Sequence, residues 1–300
     1  MQQILAEYIS KYKPLIDKGI ADELDRRMRE VGNLSPLLIP VISAMKELSV
    51  GGKRLRAILT IIGYEKAGGV VDNEIIHAGV AMEIFHLALL IQDDVMDRDN
   101  LRREVTTIHA RYSDLHLGEA VAVLASDSCN GYVIEILTGL KLDPQRVIAA
   151  ISLWGKYFCR VSYGQTLDVM TEARGDVSES EILQVLSLKS GEYTCVMPLL
   201  LGATLATASG QQLSQLEKYG MELGWVFQLR DDYLAEYGES KKTGKPVGND
   251  SREGKKTIVT MYGKKKAQAL LLEHMQKSKE LIGDNELLEA IIEYVGTRDN

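Results

Sequence analysis

The sequence predicts an all-α protein, and three observations carry that expectation. Apolar residues recur at three- and four-residue spacing along most of the chain. Leu, Ile, Ala, Met and Val dominate the apolar set while aromatics make up only 6%, a bias toward helix over strand. Six prolines in 300 residues leave room for long uninterrupted helices. At 45% apolar residues the chain can bury a substantial core. No linker, low-complexity tract or short repeat divides it, so a single domain over 1–300 is expected. The net charge of −7 comes from acids and bases mixed along the chain. A nucleic-acid interface would want a basic face, whereas a local basic pocket still suits small anions. Cys129, Cys159 and Cys195 have no metal-ligand spacing and read as free thiols in a reducing cytoplasm. The first residues lack the basic start and apolar core of a secretory signal. The most apolar run, Ala78 to Ile91, is interrupted by Glu83 and His86 and is short for a membrane span. We expect no transmembrane segment and a cytoplasmic protein.

Residues 3–31 carry helical apolar spacing (Ile4, Tyr8, Tyr12, Leu15, then Ile20, Leu24, Met28) and read as two helices joined near Asp17-Lys18-Gly19. Ser35-Pro36 is a helix start, with Ser35 as cap and proline at the first position. That helix should end near Val50-Gly51-Gly52, and the next at Gly68-Gly69. A long central helix follows, from about Asn73 through Asp97. Helical patterns resume over 118–139, 143–172, 178–188, 191–208 and 211–236, with a break expected at Lys189-Ser190-Gly191. Ser178 and its neighbouring acids supply a start favourable to the helix dipole. The stretch 241–257 is rich in Gly and Lys, as a mobile lid or a plain surface loop would be. Helices over 255–262, 263–282 and 285–296 close the chain.

The chemistry concentrates at the end of the central helix, in Asp93-Asp94-Val95-Met96-Asp97. Asp93 and Asp97 lie about 40° apart and one turn (~5.4 Å) from each other on one face. Like charges at that spacing destabilise a bare helix, and a hard cation removes the cost by sharing oxygens from both. Mg²⁺ suits such a site, because it keeps several waters and accepts substrate phosphates into its shell. Arg102 and Arg103 follow at once, and Arg binds phosphate in a bidentate fork. Gly51-Gly52-Lys53-Arg54-Leu55-Arg56 puts Lys53 and Arg56 three apart at a helix start, favourable for an anion. His86 sits about two turns before Asp93 on nearly the same face, either a satisfied core histidine or a ligand. A second apolar helix ends in acids at Phe227-Gln228-Leu229-Arg230-Asp231-Asp232, which suggests pseudo-symmetry.

Taken in order, these residues resemble the trans-polyprenyl diphosphate synthases, enzymes that elongate isoprenyl chains head to tail. The resemblance runs from about Gly51 to Thr257. It rests on the motifs above together with Gly164-Gln165-Thr166-Leu167-Asp168, Lys189-Ser190-Gly191 and Gly244-Lys245-Pro246. It implies an all-α bundle of antiparallel helices around a deep central cavity, as a homodimer. It implies Mg²⁺ bound by Asp93, Asp97 and Asp231, and a catalytic set of Asp93, Asp94, Asp97, Arg102, Lys189 and Asp231. Arg102, Lys189, Ser190, Gln228 and Lys245 would hold an allylic diphosphate. Lys53, Arg56, His86 and Arg103 would hold isopentenyl diphosphate. Three positions depart from the family pattern: Ala235 replaces an aspartate of the second motif, Glu104 a glycine and Ser190 a threonine. The implied product is a short all-trans prenyl diphosphate, with geranylgeranyl diphosphate (C20) expected from Phe85, Ala88 and Leu89. Ala88 leaves the floor of the chain cavity open, and Phe85, eight residues and roughly 12 Å from Asp93, would close it. Two alternatives stay open: a non-catalytic subunit, which Ala235 motivates, and a terpene cyclase, which would not need Lys53, Arg56 and Arg103. A di-metal carboxylate bundle would want Glu-x-x-His on two helices, and only Glu83-Ile84-Phe85-His86 fits.

Overall fold

The computed structural model describes residues 2–238 and 257–298. Lys245, its neighbours Gly244 and Pro246, and the expected lid up to residue 256 lie outside the described residues. The first helix, α1, runs unbroken from Gln2 to Leu34 and carries the buried stripe Tyr12, Ile16, Ile20, Leu24. The break expected near Gly19 is absent. A Cβ at Gly19 would meet Val80 Cγ2 at 2.6 Å, so the glycine serves close packing against the central helix rather than a turn.

Ser35 accepts a hydrogen bond from the Leu37 amide and opens a short 3₁₀ turn that leads into α2 (Ile39–Ser49). Gly51 and Gly52 then take φ of 80° and 83°, a left-handed turn that glycine enters without cost. At Gly52 the backbone comes so near the Arg103 guanidinium that a Cβ would sit 3.2 Å from it. Helix α3 (Leu55–Lys66) follows, and Gly68-Gly69 ends it as expected.

The central helix, α4 (Asn73–Met96), is capped by Asp72 and packs against α1, α3 and α5 (Leu115–Thr138). Both α4 and α5 are long and apolar enough to cross a membrane, but 72% of the apolar stretch of α4 is buried inside the protein. It is a core helix, apolar on nearly every side because neighbours cover it. Between α4 and α5 lies a small hairpin that the helical pattern did not predict, β1 (Leu101–Arg102) and β2 (Val105–Thr106). Its two turn residues, Arg103 and Glu104, have φ of 51° and 65°. Positive φ at both central positions is what a tight two-residue hairpin requires. That explains why a glycine is common at the position Glu104 holds.

Helix α6 (Pro144–Arg174) starts at the Asp143 cap and stops at Gly175, and α7 (Glu179–Val185) starts on a Ser178–Glu181 capping box. The break expected at Lys189-Ser190-Gly191 is not there. The chain stays helical in a π-helical segment, Leu186–Val196, and runs on into α8 (Met197–Leu205). Gly191 faces Gly224 of α9 (Gly210–Tyr237), where a Cβ on Gly224 would fall 2.3 Å from the Gly191 Cα. The widened turn and the two bare backbones let these elements touch. Helices α10 (Ile258–Ile282, kinked at Gly263) and α11 (Glu286–Thr297) complete an all-α bundle around one continuous core.

Candidate active site

Helix α4 delivers the first acidic motif to the rim of the bundle, with its three aspartates in different settings. Asp97 caps the helix, exposed, its amide donating to the Asp93 carbonyl. Asp93 is partly exposed, with Arg102 Nη2 at 3.6 Å and Lys189 Nζ at 3.5 Å. Asp94 is buried, and both Nε and Nη2 of Arg102 lie 2.7 Å from its Oδ1. Burial pushes its pKa up to about 6, although the Arg102 guanidinium pulls the other way. Its Oδ2 is buried without a hydrogen-bond partner among the described residues. Arg102 thus rests on Asp94, and Lys189 rests on Asp168 at 2.8 Å. Among the described residues, no three carboxylates converge closely enough to hold an ion by themselves.

A cationic cavity of about 700 Å³ opens beside α4, one to two turns before Asp93. The structure brings Lys53, Arg56, His86 and Arg103 together on its wall. Arg54 belongs to the framework here: it is held by Asp17, Glu83 and the Ser49 carbonyl. Glu83 in turn accepts from the Ala57 amide, which fixes the start of α3. Arg56 donates to Thr194 Oγ1 at 2.9 Å, lies over the Tyr193 ring at 4.3 Å, and keeps its buried Nε without a partner among the described residues. Burial first, and the nearby Arg298 and Arg103 after it, lower the Lys53 pKa to about 8. Burial and the surrounding guanidinium groups, led by Arg56, hold His86 well below the usual histidine value.

Asp231 lines this cationic cavity, where Arg298 from beyond α11 pairs with it. Arg298 also donates to the Phe227 carbonyl and covers the Phe227 ring at 4.2 Å. Asp231 thus lines the cavity of the expected isopentenyl set, and among the described residues it does not gather with Asp93 and Asp97 into one cluster of metal ligands. Its neighbour Asp232 points elsewhere. It is buried, accepts from Gln228 Nε2 at 2.6 Å, and lines a cavity of about 360 Å³ with Asp168, Lys189 and Ser190. The sequence does not single out Arg298, which nothing local marks, and it marks Asp168 only as part of its motif, with no role of its own.

A third cavity, of about 170 Å³, joins the two. Asp93, Gln165, Lys189 and Ser190 stand on its polar side, Leu89, Leu90 and Val161 form apolar wall, and Arg56 and His86 border it from the cationic side. Ala88 is fully buried, with Ser126 Oγ of α5 on its carbonyl, so Leu89 rather than Ala88 is the wall at this level. Phe85 is also fully buried. It sits edge-on to Trp154, Phe158 and Tyr193 at 5.4–5.7 Å between ring centres, and Tyr193 is itself cavity wall.

Comparison with known proteins agrees with this architecture. The chain matches the polyprenyl synthetase family over residues 40–295. It is 35% identical over 213 residues to the geranylgeranyl diphosphate synthase of Sulfolobus acidocaldarius, a match covering 70% of this chain and 62% of that protein's length. It is 32% identical over 289 residues to the short chain isoprenyl diphosphate synthase of Methanocaldococcus jannaschii, covering 93% and 85%. Among solved structures, the geranylgeranyl pyrophosphate synthase of Corynebacterium glutamicum, complexed with isoprenyl diphosphate and magnesium, superimposes with a TM-score of 0.83 at 24% identity over 96% of this chain and 99% of that one. The geranylgeranyl pyrophosphate synthetase of Pyrococcus horikoshii does so with a TM-score of 0.81 at 23% identity, over 99% and 98%. The structural likenesses establish the fold, and the sequence matches establish the lineage: this chain belongs to the polyprenyl synthetase family.

Proposed function

We propose that the protein is a cytoplasmic, Mg²⁺-dependent prenyltransferase that condenses isopentenyl diphosphate with an allylic prenyl diphosphate to give geranylgeranyl diphosphate (C20). The observation that carries this is the pairing of two polar sites across one apolar cavity. An acidic rim with Lys189 stands on one side, a cationic pocket on the other, and Leu89, Leu90 and Val161 lie between. Two diphosphates need two separate anion sites, and a terpene cyclase would need only one. In the reaction the allylic C–O bond breaks and its electron pair leaves with the diphosphate. The isopentenyl double bond forms the new C–C bond, and a proton passes to the released diphosphate.

The first motif fits Mg²⁺ by donor chemistry. Asp93 and Asp97 offer two carboxylates at the rim, and Asp94 adds a buried oxygen without a partner among the described residues. One or two carboxylates plus phosphate oxygens and water are the usual Mg²⁺ shell. When bound, the ion neutralises charge developing on the leaving diphosphate. In this reading the second acidic pair, with Asp231, completes the metal set, and Arg298 must release that carboxylate. Lys189, Ser190, Gln228 and Arg102 hold the allylic diphosphate, with Lys245 from outside the described residues. Lys53, Arg56, His86 and Arg103 hold isopentenyl diphosphate. The apolar wall keeps water away from the allylic cation.

Purified protein incubated with labelled isopentenyl diphosphate and each allylic starter, with products read by mass, tests the reading. A Mg²⁺-dependent C20 product is expected. No elongation under any starter, or cyclised hydrocarbon, overturns it. Elongation only after a second synthase is added would assign the chain to a non-catalytic subunit.

A further inference from the structure

One partly buried contact has no part in the chemistry above: Tyr193 Oη lies 2.6 Å from His86 Nδ1. Tyr193 comes from the π-helical segment and is 5% exposed. His86 is on α4 and borders both the cationic and the apolar cavity. Burial raises the tyrosine pKa, so the phenol keeps its proton, and the imidazole is neutral. A neutral imidazole has one N–H and one lone pair. Arg56, which lies over the tyrosine ring, is a donor only and gives the hydroxyl nothing to donate to. A hydroxyl that donates to Nδ1 needs the lone pair there, which leaves the hydrogen on Nε2. The opposite arrangement would leave a lone pair on Nε2, facing a pocket built for anions.

We propose that Tyr193 is a positioning residue: its hydroxyl donates to His86 Nδ1, fixes the imidazole as the Nε2–H tautomer, and thereby gives the cationic pocket a neutral, directed donor for a phosphate oxygen. This rests on the reading of that pocket as the isopentenyl diphosphate site. The contact also has a geometric consequence. Tyr193 meets Phe85 edge-on at 5.7 Å and forms wall of the apolar cavity. One side chain therefore spans the place where the phosphate end and the hydrocarbon end of the substrates meet.

Nitrogen-15 spectra of histidine-labelled protein read the tautomer directly, with His86→Gln identifying the signal. Wild type is expected to show only the Nε2–H form of His86 between pH 6 and 8, and Tyr193→Phe a mixture. In steady-state kinetics Tyr193→Phe should raise KM for isopentenyl diphosphate about five-fold, the worth of one neutral hydrogen bond. KM for the allylic substrate should move less, and the same substitution in a His86→Gln background should add little. An Nδ1–H signal in wild type, or an unchanged tautomer in Tyr193→Phe, overturns the proposal. Equal KM changes for both substrates overturn it too, because they would assign Tyr193 to the cavity wall alone. If His86→Gln leaves KM for isopentenyl diphosphate unchanged, the site reading fails. The wild-type tautomer still decides what Tyr193 does to His86.

Discussion

Lys53 is held below its usual charge state by its own pocket. Burial and the neighbouring Arg298 and Arg103 bring its pKa down to about 8. An anion arriving there favours the ammonium form, so binding must draw in protons near pH 8. Calorimetry of inorganic pyrophosphate binding in buffers of different ionisation heat should show wild type taking up about half a proton more than Lys53→Met at pH 8. The pocket should also weaken as pH rises past 8, since the deprotonated amine offers no charge. Equal uptake in both proteins would place the titrating group elsewhere. At the acidic rim, Asp93 faces two cations and sits one turn from Asp97. Asp93→Ala should lower single-turnover rates by roughly 10²–10³-fold in excess Mg²⁺. A rate within a few-fold of wild type would show that the metal is held elsewhere. Glu104 carries a φ of 65° that favours glycine. Left-handed backbone costs a side-chain-bearing residue roughly 1–2 kcal/mol, and glycine returns roughly 0.5–1 of that in unfolded-state entropy. Glu104→Gly should therefore stabilise the fold by up to about 1 kcal/mol in urea melts, and a loss of stability would show that the Glu104 side chain is needed.

Helix α4 sets both ends of the site, because one rigid rod carries Phe85, His86, Leu89 and Asp93 at fixed rise. The aromatic group of Phe85, Trp154, Phe158 and Tyr193 stands behind the apolar cavity. We expect Phe85→Ala to let products grow beyond C20. The substitution removes a fully buried ring and costs about 3–5 kcal/mol, so Phe85→Leu is the milder companion. Product mass distributions of both, at 25 °C, make the measurement. If either folds, turns over and leaves the chain length unchanged, the floor is built by another element. The same buried setting bears on Ala88, whose carbonyl is bonded from α5. A larger residue there would press on α5 as well as on the cavity.

At the scale of the whole molecule, α5 leaves much of its apolar surface uncovered among the described residues. Only 33% of its apolar stretch is buried, and Leu117, Leu124 and Ile134 are exposed on it, with Ile148 and Met170 on α6. We propose that a second copy of the chain covers this face, in keeping with the homodimer that the family resemblance implies. Sedimentation should give twice the 33.3 kDa chain mass for wild type and the single mass for Leu124→Glu. A wild type that sediments at the single mass would leave the face to another partner.

The sequence by itself determined where most helices start and what kind of chemistry the chain carries. Ser35 and Ser178 act through their own neighbours within a turn, so their signals are local and readable. The spacing of Asp93 and Asp97 and the Lys53–Arg56 pair are legible for the same reason. Packing between distant segments decided the rest. Val80 makes Gly19 a packing position inside a continuous helix. Gly224 opposite Gly191 lets the chain keep a π-helical path where a break was expected. The tight hairpin after α4 puts Arg103 in the cationic cavity and Arg102 on Asp94. Asp231 and Asp232 are consecutive, yet a step of about 100° around α9 sends them to different cavities. Arg298, 67 residues further along, pairs with Asp231, and no local pattern encodes a contact of that range.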